Sequence, residues 1–145
     1  MKNRWLLTIL VLLIALFSSW KHLVPLLPEE PGGHDQANGQ LMQAHAAHRS
    51  GVWVVVNGRV KRVLADDLDG NRHQRFILQV GEGLTVLVSH NIDLAPRVSV
   101  RPGDRVVLRG RYEWNAKGGV VHWTHHDPRG RVSGGWIEVG GKRVR

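Results

Sequence analysis

The sequence predicts an all-β fold: a small OB-like antiparallel barrel of five to six strands, preceded by an N-terminal hydrophobic helix and a tether. Three observations predict it. From Gly51 onward, short runs rich in valine and leucine are cut by Gly, Pro and Asp turns, the texture of strands joined by hairpins. Arg105–Trp114 alternates: Val106, Leu108, Tyr112 and Trp114 share one face, and Arg105, Arg109, Arg111 and Glu113 the other. Finally, the 145 residues hold one compact domain and a short appendage, with too few strands for a seven-stranded sandwich.

Residues 1–20 read as a signal peptide or signal anchor. Lys2 and Arg4 precede an apolar run from Trp5 to Phe17, broken only by Thr8. That run is shorter than the roughly 20 residues of a full membrane span. The cationic side stays cytoplasmic under the positive-inside tendency, which puts the domain on the periplasmic side of the inner membrane, anchored through residues 5–20 or released by cleavage. Residues 21–50 form the tether. Pro25, Pro28 and Pro31 exclude a long helix at its start, and the Ala- and Gln-rich stretch Asp35–Arg49 is expected as a short solvated helix.

The barrel domain spans residues 51–145. Val52–Leu64 is a long strand, bent at Asn57-Gly58. Asp66–Asn71 is a turn, and Phe76–Val80 and Leu84–His90 form a hairpin across Gly81-Glu82-Gly83. Asn91–Arg97 is a connector, and Arg101-Pro102-Gly103-Asp104 a tight turn into the alternating strand. Asn115–Gly119 closes a second hairpin into Val120–His125, and Trp136–Val139 is a last short strand. The order of three strands, a connector and two further strands is that of an OB-like barrel. Trp114, Trp123 and Trp136 are expected to plug its core.

The chemistry concentrates in Val121–Arg131, where His122, His125, His126, Asp127, Arg129, Arg131 and Trp123 fall close together. The first four are candidates for catalysis, and His122, His126 and Asp127 for ligating a divalent metal, zinc or manganese. On a regular strand His122 and His126 would share a face about 13 Å apart, so shared ligation requires a turn, which Asp127-Pro128 supplies. Val121 and Trp123 are then the core-facing pair. His73, His90, Asp93, Arg97, Arg129, Arg131 and Trp123 are candidates for ligand binding. In this set Asp93 would fix the His90 tautomer, and Arg97, Arg129 and Arg131 would clamp an anionic group.

The chain lacks cysteine, which excludes disulfides, thiolate metal sites and a cysteine nucleophile. A net charge of +8 favours anionic partners: nucleic acid, a phosphorylated or acidic glycan, or an envelope component. Three functions compete. The first is a non-catalytic module that binds an anionic polymer or an envelope protein. The second is a metal-assisted phosphodiesterase or nuclease, and the third a structural envelope protein.

The segments His73-Gln74-Arg75-Phe76, His90–Arg97 and Glu113–Pro128 together resemble the bacterial family catalogued as domain of unknown function 3465, over roughly residues 52 to 140. The resemblance implies a small exported or membrane-tethered protein, and no particular activity. It departs at Val132, where the pattern has a further histidine, and in the basic tail Lys142–Arg145.

Overall fold

In the computed structural model residues 32–145 are described. The signal or anchor segment and the start of the tether lie outside the described residues. Helix α1 (Gly32–Ala46) leads into seven strands: β1 (Val52–Val63), β2 (His73–Gln79), β3 (Thr85–Asn91), β4 (Arg105–Glu113), β5 (Val120–His122), β6 (Trp136–Val139) and β7 (Lys142–Val144). Among the described residues no helix is long and apolar enough to cross a membrane.

Strand β1 builds the barrel because its twelve residues serve two partners. Val52–Arg59 pairs with β4 and Arg59–Val63 with β2, with a register shift between Val60 and Arg62. The ring then closes in the order β1-β2-β3-β5-β4-β1. All pairings are antiparallel except β3–β5, where Leu87 and Val88 face Val120 and Val121 in parallel. On the edge of β4 that β5 occupies at its end, Val106–Arg109 pairs with β6, and β7 pairs in turn with β6. Val106, Leu108, Gly110 and Tyr112 of β4 all point inward, as the alternation predicts.

The interior is filled by Val54, Val56, Phe76, Leu78, Val88, Leu108, Tyr112, Val121 and Ile137, each at most 1 % exposed. Tyr112 and Phe76, rather than tryptophans, are its largest members. Trp114 only packs against the core, and Trp123 is 37 % exposed. Trp136 is half-buried and lies beneath the Arg143 guanidinium at 3.8 Å. None of the three is fully buried.

Helix α1 is not a solvated linker. Leu41 and Ala44 are fully buried in the barrel core. The Asn38 side chain spans both backbone groups of Asn57, accepting from its N–H at 2.9 Å and donating to its C=O at 2.9 Å. His45 Nδ1 lies 3.0 Å from the Tyr112 hydroxyl, which itself donates to the Gly118 carbonyl at 3.0 Å. Alanine- and glutamine-rich composition hid this packing, because only two apolar positions one turn apart, Leu41 and Ala44, carry it.

Candidate functional site

The segment after β5 does not continue the strand. Trp123 adopts φ +55°, a left-handed conformation that costs a bulky residue about 1–2 kcal/mol. The reversal shifts the side-chain alternation by one position. Trp123 turns outward, while Thr124 and His125 become buried, at 0 % and 5 % exposure. This corrects the expectation that Val121 and Trp123 face the core together, since a strict period of two fails at a left-handed residue.

Two glycines let this backbone pass close to β4. A Cβ on Gly110 would stand 2.5 Å from the His122 carbonyl oxygen. A Cβ on Gly135 would stand 2.1 Å from the Trp123 oxygen and 2.3 Å from that of Arg109. The Gly135 N–H also donates to the His125 carbonyl at 2.7 Å.

His90 anchors the same segment from inside. It is fully buried; Nε2 donates to the Pro96 carbonyl at 3.0 Å, so Nδ1 accepts the Thr124 hydroxyl proton at 2.8 Å. Burial, with His125 and His73 nearby, holds its pKa below the ordinary value and so favours the neutral ring. Beside it, the Gln74 side chain brackets both backbone groups of Val98 at 3.0 and 2.8 Å.

Over this frame lies an open cleft of about 590 Å³. His73, Ser89, Asn91, His122 and His125 give it polar walls, and Leu94, Trp123 and Val132 an exposed apolar lip. The Asp127–Val132 loop also lines the rim and contributes Arg129 and Arg131. The Asp127 carboxylate organises that loop by accepting backbone N–H groups of Arg129 (3.0 Å), Arg131 (2.7 Å) and Val132 (3.1 Å). Those donors lower its pKa.

Two imidazoles in the cleft have one nitrogen committed. His125 donates from Nδ1 to the His126 carbonyl at 2.7 Å, and burial lowers its pKa, so it is neutral with Nε2 as its lone-pair nitrogen. Its ring stacks on Trp123 at 5.8 Å between centroids. His122 Nε2 lies 3.3 Å from Glu113 Oε1. Glu113 is itself held by the Gly51 N–H at 3.2 Å and by Arg111 at 3.4 Å.

The structure thus brings together His73, His122, Trp123, His125, Asp127, Arg129 and Arg131 at one cleft. Four expected site residues are placed elsewhere. His90 lies in the core and does not meet Asp93, whose carboxylate is taken by Arg72 at 2.7 Å. Arg97 forms a two-pronged pair with Asp66, which lowers the Asp66 pKa, and it does not line the cleft. His126 is exposed and outside the cleft lining. His122, His126 and Asp127 do not gather as metal ligands: among the described residues no three His, Asp or Glu side chains are placed to hold an ion. Asp127 is occupied by its own loop, and His122 by Glu113.

Sequence reasoning missed Asn71, Ser89 and Asn91 in the lining. Ser89 and His122 each follow directly on the parallel Val88–Val121 pair, and both line the cleft. No local pattern announces such a pairing between strands separated by a third.

The buried histidines predict a pH response of stability. The folded state keeps His90 and His125 neutral below the ordinary value of 6.5, where the unfolded chain takes up protons. Stability is fully present above that value and is lost as pH falls through the lowered folded-state values. Urea midpoints are expected to be flat from pH 8 to 7 and to fall as the pH drops below 6.5. A His90→Asn variant is expected to be less stable at pH 8 but to show a shallower decline. Wild-type midpoints that stay flat or rise on acidification would refute this assignment.

Fold and site define a class: a small OB-like barrel, closed by five strands, with an amphipathic, cation-rimmed cleft at one end of β2, β3 and β5. Residues 31–145 match the family described as protein of unknown function (DUF3465), and the chain belongs to that family. No match was found among curated proteins.

Proposed function

We propose that the domain is a binding module whose cleft grips an anionic ligand built on rings, such as a nucleotide or acidic-sugar unit of a polymer. The observation that carries this reading is the rim. Among the described residues the guanidinium groups of Arg129 and Arg131 form no ion pair and no side-chain hydrogen bond, and they flank a cleft that also exposes Trp123. Several surface arginines elsewhere on the barrel are engaged: Arg109 stacks on Trp53 at 4.5 Å, Arg143 on Trp136, and Arg97 pairs with Asp66. A free planar fork matches a phosphate or carboxylate, and an exposed indole supplies a stacking surface for a base or sugar ring. The volume suits one such unit, since ligand sites commonly span roughly 300–1,000 Å³.

Trp123 strengthens the case. A strained backbone held in place by Gly110, Gly135 and the His90–Thr124 bond keeps an indole in solvent, against the direction of its burial preference. A purely structural envelope role leaves that arrangement unexplained. The cationic and apolar start of the chain, Lys2 to Phe17, supports placing the module on the periplasmic side of the inner membrane.

Fluorescence anisotropy of labelled single-stranded oligonucleotides and acidic glycan fragments on the full chain tests the proposal. Two phosphate contacts predict a log–log salt slope of about −1.4 for a single strand. Failure of every polyanion to bind at low salt, or binding indifferent to salt, would contradict it.

A further inference from the structure

We propose that the cleft also cleaves its ligand: it is an acid–base site for phosphodiesters that carry a neighbouring hydroxyl, the linkage of RNA. This rests on the binding reading above and adds a reaction to it. The geometry that points to it is the pair of half-committed imidazoles. His125 is tied through Nδ1–H to the His126 carbonyl, which fixes its tautomer and leaves Nε2 as a lone pair, with no hydrogen-bond partner among the described residues. That is the configuration of a general base. Three residues away, across the left-handed Trp123, His122 lines the same cleft with Nε2 committed to Glu113, a carboxylate able to balance an imidazolium charge. Arg129 and Arg131 stand on the rim as donors for a phosphate whose charge grows as the reaction proceeds.

The step balances without a co-reactant. His125 Nε2 takes the proton from the 2′-hydroxyl, and the oxygen attacks phosphorus. The bond from phosphorus to the 5′-oxygen breaks as a P–O2′ bond forms, and the leaving oxygen takes the proton of a His122 imidazolium. The products are a 2′,3′-cyclic phosphate and a free 5′-hydroxyl. An internal nucleophile suits this cleft, because its histidines are arranged for proton transfer and because a tethered hydroxyl has an effective molarity on the order of 10⁵–10⁸ M. Trp123 offers the stacking face for the base next to the cleaved bond.

The test uses the full chain, a short single-stranded oligoribonucleotide and its 2′-deoxy counterpart, all with excess chelator, and follows binding and cleavage in parallel. The expected result is that both strands bind, only the ribo strand is cut, and mass spectrometry finds the cyclic phosphate. The rate is expected to follow a bell-shaped pH profile. His125→Gln is expected to lose at least about 100-fold in cleavage while keeping its affinity, and His122→Gln to lose cleavage on the same scale with affinity likewise kept. Arg143→Gln, altered on β7 outside the cleft, is expected to cut like the wild type and controls for copurifying nuclease. Ribo strands bound but left intact would overturn the catalytic proposal and leave the binding module standing. Cutting of the deoxy strand, loss of cutting with chelator, or undiminished cutting by His125→Gln would overturn it equally. If neither strand binds, the failure belongs to the binding reading on which it rests.

Discussion

Replacing Gly135 by alanine is expected to lower global stability by about 3 kcal/mol or more, a change of one methyl group. The added carbon would meet two backbone oxygens, those of Trp123 and Arg109, at 2.1 and 2.3 Å, and the Thr124 Cα at 2.9 Å. None of these is the movable end of a side chain. Relief requires prying the Trp123–Thr124 segment from β4, which also strains the His90–Thr124 bond. For a domain of this size the melting temperature is expected to drop on the order of 10–15 °C, and ligand affinity to fall with it because Trp123 and His125 lose their placement. Gly39→Ala provides the opposite sign. Its new methyl group meets nothing within 4 Å, and replacing a helical glycine by alanine is worth roughly 0.5–1 kcal/mol. Thermal denaturation of the two variants side by side checks both; a Gly135→Ala protein as stable as the wild type would show that the close approach is wrong.

The second large effect is on binding alone. Arg129→Gln combined with Arg131→Gln is expected to weaken polyanion binding about 100-fold, the scale of two charge-assisted hydrogen bonds discounted for solvent exposure. Both residues are exposed, and Asp127 shapes their loop through backbone N–H groups that the substitutions leave intact. The melting temperature is therefore expected to stay near the wild-type value. The salt slope is expected to flatten toward zero in parallel, which distinguishes loss of ionic contacts from loss of a rigid rim. The same substitutions at Arg97 and Arg143, each paired with its own carboxylate, are expected to change affinity little.

Much of this architecture was legible in the sequence, and the reasons separate by length scale. The β4 alternation, the Gly81–Gly83 hairpin and the Asn115–Gly119 turn are local devices, and each appears where its residues predict it. The clustering of His122, Trp123, His125, Asp127, Arg129 and Arg131 also survived folding, because all belong to one short stretch that turns over the end of β5. What the sequence concealed were relations between distant segments. The Asp66–Arg97 and Arg72–Asp93 pairs withdraw two expected binding residues from the site, and only the fold brings those partners together. His90 was misplaced for a related reason. A histidine in an alternating strand reads equally as ligand or core, and the decision rests with Thr124 and the Pro96 carbonyl, neither of which adjoins it in the chain. The inversion at Trp123 had no local signal at all, since tryptophan disfavours the conformation it adopts; Gly110 and Gly135, both on other segments, make it fit.

The proposal that this cleft is where the protein meets its ligand is tested most directly by an amide chemical-shift titration of the isotope-labelled protein with a short single-stranded oligonucleotide. The account predicts perturbations concentrated at Ser89–Asn91, His122–His125 and Arg129–Val132, saturating together with one dissociation constant. Perturbations confined to the β6–β7 pair around Trp136 and Arg143, with the cleft amides unmoved, would contradict it.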